Sequence, residues 1–335
     1  MTADRPSRLA GIFTIVLTLA CWTSIPLFLK HFAGLIDGWT ANGWRYGLSA
    51  LIWLPALLLA WRKGSTPDAL WRRALWPSVF NTLAQVCFGL APYYTSPALM
   101  TFSLRLQIVF VTFGAALLFV AERRIVRSGG FLTGIGMVIA GTAATLLLNP
   151  EGLGGGSALG VGLSIGAGLL YACYSLSVRK LLQGVDPILA FAAISQYTAA
   201  AMVGLMLAFG AQHGAGALDL GLAQFGLLIL SAIIGIGLGH TLYFKSIGTL
   251  GVAVSAGVVQ LQPVFVSIVS TIFGWDRLTG AQWAAGGVAI AGAVVMLIAQ
   301  HRLGPHTPAP SSTSTADPEF ATLPVDEDVA AAENR

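Results

Sequence analysis

Residues 105–110 read RLQIVF, and residues 260–265 read QLQPVF. Four of the six letters agree, 155 residues apart, in a chain whose other long stretches are runs of Ala, Leu, Gly and Val. Three further pairs keep the same order: ACWTS at 20–24 with ACYSL at 172–176, Glu122-Arg123 with Asp276-Arg277, and GMVIAG at 136–141 with GVAIAG at 287–292. Their offsets of 152, 154 and 151 residues are nearly constant, which argues for a duplicated chain. The copies of the first phrase differ at two positions of consequence: Arg105 faces Gln260, and Ile108 faces Pro263.

Composition sets the class. The chain is 56% apolar and only 10% charged, with a mean hydropathy of +0.77. A soluble domain carries about 25% charged residues, so this is an integral membrane protein. Apolar runs of about 20 residues, the length that crosses a bilayer, fall at 9–29, 41–61, 74–93, 97–120, 130–148, 157–178, 187–210, 222–245, 250–273 and 281–301. They do not alternate as the strands of a transmembrane β-barrel do, and their small residues suit helices packed closely in lipid. The predicted fold is an all-α polytopic membrane protein with ten transmembrane helices in two five-helix repeats. Because five is odd, the second repeat enters the membrane from the opposite side, giving an inverted repeat about a pseudo-twofold axis in the membrane plane. The expected organisation is an N-terminus at 1–8, a first repeat at 9–148, a linker at 149–156, a second repeat at 157–301 and a Pro/Ser/Thr-rich, acidic tail at 302–335 that is expected to be disordered.

The net charge of +4 reflects topology rather than an anionic partner. Arg5, Arg8, Arg62, Lys63, Arg72, Arg73, Arg123, Arg124, Arg127, Arg179, Lys180 and Arg302 all fall at the N-terminus, in even-numbered loops or on the C-terminal flank. The odd-numbered loops hold little more than Lys30 and Arg277 beside Asp37, Glu151, Asp219 and Asp276. The positive-inside rule then puts both termini in the cytoplasm, and nucleic acid is not an expected partner. The first apolar run is too long for a signal-peptide core and is read as a retained span. Cys21, Cys87 and Cys173 lie far apart inside spans, without a CxxC or His/Cys cluster, so neither a disulfide framework, a metal site nor a cofactor is expected.

Two five-span halves, NGWRYGLSAL near the start of the second span, the Q-P-V-F phrase, the acidic-Arg pairs and the two G-x-x-I-A-G phrases resemble the drug/metabolite transporter superfamily, and within it the ten-span EamA-type exporters. The chain is most similar to the YddG-type exporters of aromatic and other amino acids. The resemblance implies a multi-pass protein of the bacterial cytoplasmic (inner) membrane that exports amino acids or related small metabolites by alternating access. Membrane lipids and the small-molecule substrate are the implied partners, and a monomer the implied unit.

Polar side chains inside spans are costly in lipid unless they face protein or water, so they mark candidate sites. Arg105 lies too deep in the fourth span to snorkel, and no Asp or Glu sits deep in any span. It could take a substrate carboxylate with its planar fork, or brace helix-end carbonyls. Gln107, Gln260 and Gln262 surround it in the repeated phrase. Asn81 and Gln85 share a stripe of the third span, and Trp22, Tyr171 and Tyr174 add aromatic walls that suit a small amphiphile; packing is the competing role of these rings. Pro263 lacks an N–H and is expected to kink the ninth span, as packing feature or gate. His240, among Gly235, Gly237 and Gly239, could relay protons or simply pack. Arg45 reads as an anchor near the external end of the second span. Without an intramembrane carboxylate, a cation/proton antiporter is disfavoured and uniport fits; proton-coupled export of other amphiphilic metabolites or drugs is the alternative. A membrane enzyme would show HExxH, paired acids or a Ser/His set, and the five His are scattered.

Overall fold

The computed structural model describes residues 8–119, 123–150, 157–250 and 252–303. Residues 1–7 of the expected cytoplasmic N-terminus at 1–8, Glu122, most of the linker and the tail from 304 lie outside these residues. Within them the chain is helical, in the order α1 (Arg8–Phe32), α2 (Gly38–Arg62), α3 (Leu70–Leu90), α4 (Pro97–Leu104), α5 (Gln107–Leu118), the single turn α6 (Arg123–Val126), α7 (Gly129–Leu147), α8 (Ser157–Leu181), α9 (Pro187–Phe209), α10 (Gly221–Ala232), α11 (Gly239–Leu250), α12 (Val252–Val259), α13 (Gln262–Ile272) and α14 (Gly280–Leu303). Among the described residues, nine helical segments are long and apolar enough to cross a membrane, and Gly257–Ile272 is a shorter apolar tenth.

Three of the expected spans are not single helices. The fourth is α4 plus α5, and the ninth is α12 plus α13. The eighth runs to Leu250, beyond the expected end at 245, as α10, a π-helical turn at Ile233–Leu238 and α11. The widened turn coincides with IIGIGL, where glycines leave room for neighbours: a Cβ on Gly235 would meet Ile25, and one on Gly239 would meet the Trp22 indole.

Helix starts carry side-chain caps in repeat-related pairs. Asp37 accepts from the N–H groups of Trp39 and Thr40 at the start of α2, and Asp186 accepts from Leu189 at the start of α9. Ser128 caps α7 through Phe131, and Thr279 with Gln282 forms a reciprocal capping box on α14. These caps satisfy first-turn amides that lipid cannot.

The helix pairing obeys the expected symmetry. Exchanging each span with the one five places along maps α1 on α11 to α8 on α3, α4 and α5 on α8 to α12 and α13 on α1, and α3 on α9 to α10 on α2. The pairs α2–α9, α7–α14 and α4–α13 map onto themselves. Where α7 crosses α14, backbone meets backbone. A Cβ on Gly134 would lie 2.8 Å from the Gly292 carbonyl, one on Gly292 would lie 2.7 Å from the Gly134 carbonyl, and one on Gly141 would lie 2.4 Å from the Ala289 nitrogen. The last glycine of each G-x-x-I-A-G phrase is thus a contact point of this crossing. The first glycines, Gly136 and Gly287, face open space.

Gly292→Ala is therefore expected to lower the melting temperature of the purified protein strongly, because the obstacle is backbone rather than a movable side chain. Gly287→Ala, in the same helix, should leave it unchanged or raise it slightly, since Ala favours helix over Gly by about 1 kcal/mol. Equal effects of the two substitutions in a thermal-shift measurement would contradict the crossing.

Candidate functional site at the paired helix breaks

The repeated phrase is where both broken spans break, and they break alike. In the fourth span the N–H of Arg105 donates to the Phe102 carbonyl (3.1 Å), Leu106 to Ser103 (3.2 Å) and Val109 to Leu106 (3.0 Å). In the ninth, Gln260 donates to Gly257 (3.2 Å), Leu261 to Val258 (3.1 Å) and Val264 to Leu261 (3.0 Å). Each set is a tight i→i−3 turn between two helical pieces. Pro263 occupies the second position of α13, where a missing N–H costs no helical bond. The first half breaks without any proline, so the break belongs to the repeat, and Pro263 fits it rather than causing it.

Arg105 caps the C-terminal end of α4, and its Nη2 donates to Oε1 of Gln262. Gln262, the first residue of α13, is buried and donates through Nε2 to the Trp22 carbonyl (2.7 Å). One amide therefore joins the break of span 4 to the break of span 9 and to span 1. Gln260 stands beside them. With Arg105, Phe102, Val138, Ala289, Ile290 and Ala293 it lines a cavity of about 10 Å³, room for roughly one water. Its Oε1 is buried without a hydrogen-bond partner.

Around this joint runs a chain of rings. Trp22 meets His240 edge-on (5.4 Å between centroids) and Tyr243 at a tilt (4.8 Å); His240 stacks on Phe191 (4.4 Å), and Phe191 meets Trp53 edge-on (5.2 Å). Spans 1, 8, 7 and 2 are linked by these contacts. Tyr243, Phe191 and Trp53 were not legible as site residues, because an aromatic in an apolar span carries no mark of its neighbours. The glycine run around His240 was the available signal, since its room is what seats the indole.

The remaining candidates lie elsewhere. Asn81 donates to the Thr198 hydroxyl (3.0 Å) and ties span 3 to span 7. Gln85 is half-buried one turn along, and its backbone carbonyl is 3.5 Å from Asn42 Nδ2. Tyr174 sits in an apolar cluster with Leu70, Ala74 and Val178, with Tyr171 packed on its edge and against Phe88 (6.2 Å). Gln107 opens α5 where the backbone closely abuts Gly168. The hydroxyl stripes also turn inward: Thr101, Ser103 and Thr112 donate to carbonyls of their own span. Arg45 is buried, and its Nε donates to the Ser231 hydroxyl (3.1 Å), anchoring span 2 to span 8.

A larger recess of about 430 Å³ opens on the face of the odd-numbered loops, lined by Gly34, Asp37, Thr40, Tyr93 and Ala211. Burial pushes the Asp37 carboxyl up, but hydrogen bonds from the Thr40 hydroxyl and the N–H groups of Thr40, Ala211 and Trp39 outweigh it and hold the group below its ordinary value. The Ala211 bond crosses from one half to the other.

Residues 158–298, almost the whole second half, match the EamA-like transporter family. The second half is thus similar to an EamA-like transporter domain, and the nine long apolar helices among the described residues mark a multi-pass membrane protein. A solved crystal structure 16% identical in sequence covers 89% of this chain and 99% of its own, with a TM-score of 0.60; at that identity it shows a shared fold. No curated protein matches the chain.

Gln262→Leu should destabilise the protein by about 1–3 kcal/mol, because it strands both the guanidinium contact and the Trp22 carbonyl. Gln107→Leu should cost less than half as much. Thermal unfolding of the two purified variants checks the ranking, and a larger loss for Gln107→Leu would refute the joint.

Proposed function

We propose that this chain is an exporter of neutral, especially aromatic, amino acids and related small metabolites, working by alternating access about the paired breaks of spans 4 and 9. It resides in a bacterial cytoplasmic membrane with both termini in the cytoplasm; the basic even-numbered loops support that orientation. The observation that carries the reading is the meeting of two symmetry-related broken helices in one layer, beside a chain of aromatic rings. A break inside a span is tolerated where it lines a cavity or is buried in protein, and inverted-repeat carriers place their sites at such breaks.

In this reading Arg105 has two states. With the cavity closed it is held by Gln262. With the cavity open its planar fork receives the substrate carboxylate, while Gln260 offers its amide oxygen to the ammonium group. Trp22 and Tyr243 flank the layer and suit an apolar or aromatic side chain. No coupling ion is required, so transport follows the substrate gradient. Proton-coupled export of other amphiphiles is the second reading, and what favours it is His240, a titratable ring in contact with Trp22.

Counterflow in proteoliposomes tests this. The wild-type chain should exchange labelled aromatic amino acids without an imposed pH gradient, and an impermeant thiol reagent should label Ala215→Cys from outside intact cells. Arg105→Gln should lower affinity for zwitterionic substrates by roughly one to two decades, the worth of one charge-assisted contact, and affect decarboxylated analogues much less. Equal losses for both substrate types would leave Arg105 a brace alone; uptake only with a pH gradient would favour the second reading; no exchange of any amino acid would refute the first.

A further inference from the structure

Asp276 was counted above only as a loop charge, yet its carboxylate is buried and works across the two halves. Its Oδ2 accepts from the backbone N–H of Ala98 (3.0 Å) in the first turn of α4, and from the Ser270 hydroxyl. Ser96 caps the neighbouring amide, Leu99 (3.4 Å). A residue of the second repeat thus completes the N-terminal cap of a helix of the first, as a carboxylate at the positive end of that helix. Lys30 stands within electrostatic reach of Asp276, and its Nζ donates to the carbonyls of Pro92 (3.0 Å) and Thr95 (3.2 Å), the residues leading into α4. Thr95 in turn faces Ser157 of the other half, with hydroxyl oxygens 3.4 Å apart.

The mechanical setting gives this cap its meaning. α4 is eight residues long, about 12 Å at the helical rise. Its inner end is the break at Arg105–Leu106; its outer end is held to the second half through Ala98 and Asp276. A short rigid piece with a hinge at one end and a charge-assisted tie at the other is a lever and its latch. α4 lies against α13 and α8, both from the second half, so swinging its outer end away opens the seam above the Arg105–Gln262 layer.

We propose that the Asp276–Ala98 bond is the latch of the gate on the odd-numbered-loop face, and that releasing it frees α4 to pivot at Arg105–Leu106. The proposal rests on the transport reading above. Passage through this face requires the bond to break, and its strength sets how much of the time the seam is closed.

The test uses the full-length chain with Cys21, Cys87 and Cys173 replaced by Ala and one cysteine at Ser103, a fully buried position on α4 beneath the latch. Its reaction rate with a water-soluble maleimide reports opening. Asp276→Asn keeps the shape but loses the charge, and should speed labelling roughly tenfold, the worth of a charge-assisted bond over a neutral one. Ser270→Ala should speed it by a smaller factor and serves where Asp276→Asn does not fold. In a chain carrying Thr95→Cys and Ser157→Cys, oxidation should suppress labelling of Ser103→Cys in the Asp276→Asn background, and reductant should restore it. Unchanged labelling in folded Asp276→Asn and Ser270→Ala, or fast labelling in the cross-linked protein, would overturn the latch. Amino-acid counterflow on the same preparations separates the two claims. Flux with labelling that ignores Asp276 removes the latch and leaves the carrier, whereas labelling that follows Asp276 without flux keeps the latch and removes the carrier.

Discussion

A helix that breaks inside a bilayer leaves amides and carbonyls that lipid cannot satisfy, and this protein breaks two of them at repeat-related positions. The solution is the same in both halves: a tight turn of i→i−3 bonds at Arg105–Leu106 and at Gln260–Leu261, with Gln262 bridging from the Arg105 guanidinium to the Trp22 carbonyl. Spans 1, 4 and 9 are fixed in relation to one another by that single amide. The rest of the structure arranges itself around the joint, because burying broken backbone demands protein on every side of it. Spans 6 and 1 supply one wall each, α8 against α4 and α5, α1 against α12 and α13. Gly239, just after the π-helical turn of span 8, leaves room for the ring of Trp22, the residue whose backbone carbonyl accepts from Gln262.

The halves are held by two kinds of contact. Close backbone approach at Gly134, Gly141 and Gly292 welds α7 to α14, where nothing charged takes part. Polar ties join the halves at both ends of the spans: at the odd-numbered-loop face Asp37 reaches Ala211, Trp44 reaches the Gly214 carbonyl (2.8 Å), His31 reaches Gln224 (2.8 Å) and Asp276 reaches Ala98, and at the opposite face Arg73 donates to the carbonyls of Leu181 and Gln183. A weld of small residues suits an axis that stays put while the halves rock. Hydrogen bonds that can break and reform suit the ends of the spans.

Much of this could be read from the residues. The repeat, the all-helical class and the position of nearly every span follow from hydropathy and from four short phrases, because bilayer thickness fixes span length. The break in span 9 was marked by Pro263; that in span 4 was not, since RLQIVF contains no residue with a backbone preference against helix. Helical periodicity grouped Asn81 with Gln85 and Tyr171 with Tyr174 as faces. It could not tell which neighbour each face meets, and Thr198 and the Leu70–Val178 cluster claim two of them. Asp276 and Lys30 could be read from the sequence only as loop charges, because a charge close to a span end looks the same whether it caps a foreign helix or faces water.

The central claim is that the two halves are mechanically equivalent around one charged layer, with Arg105 the only asymmetry in the repeated phrase that carries charge. Moving the charge tests this most directly. The variant Arg105→Gln/Gln260→Arg places the guanidinium at the repeat-equivalent position, where Gln107 stands in for Gln262 and the Tyr174 carbonyl for that of Trp22. Its thermal stability and counterflow should recover most of what Arg105→Gln alone loses. A double variant no better than the single one in both measurements would mean that the layer depends on Arg105 in its own half, and that the symmetry of the fold does not extend to its function.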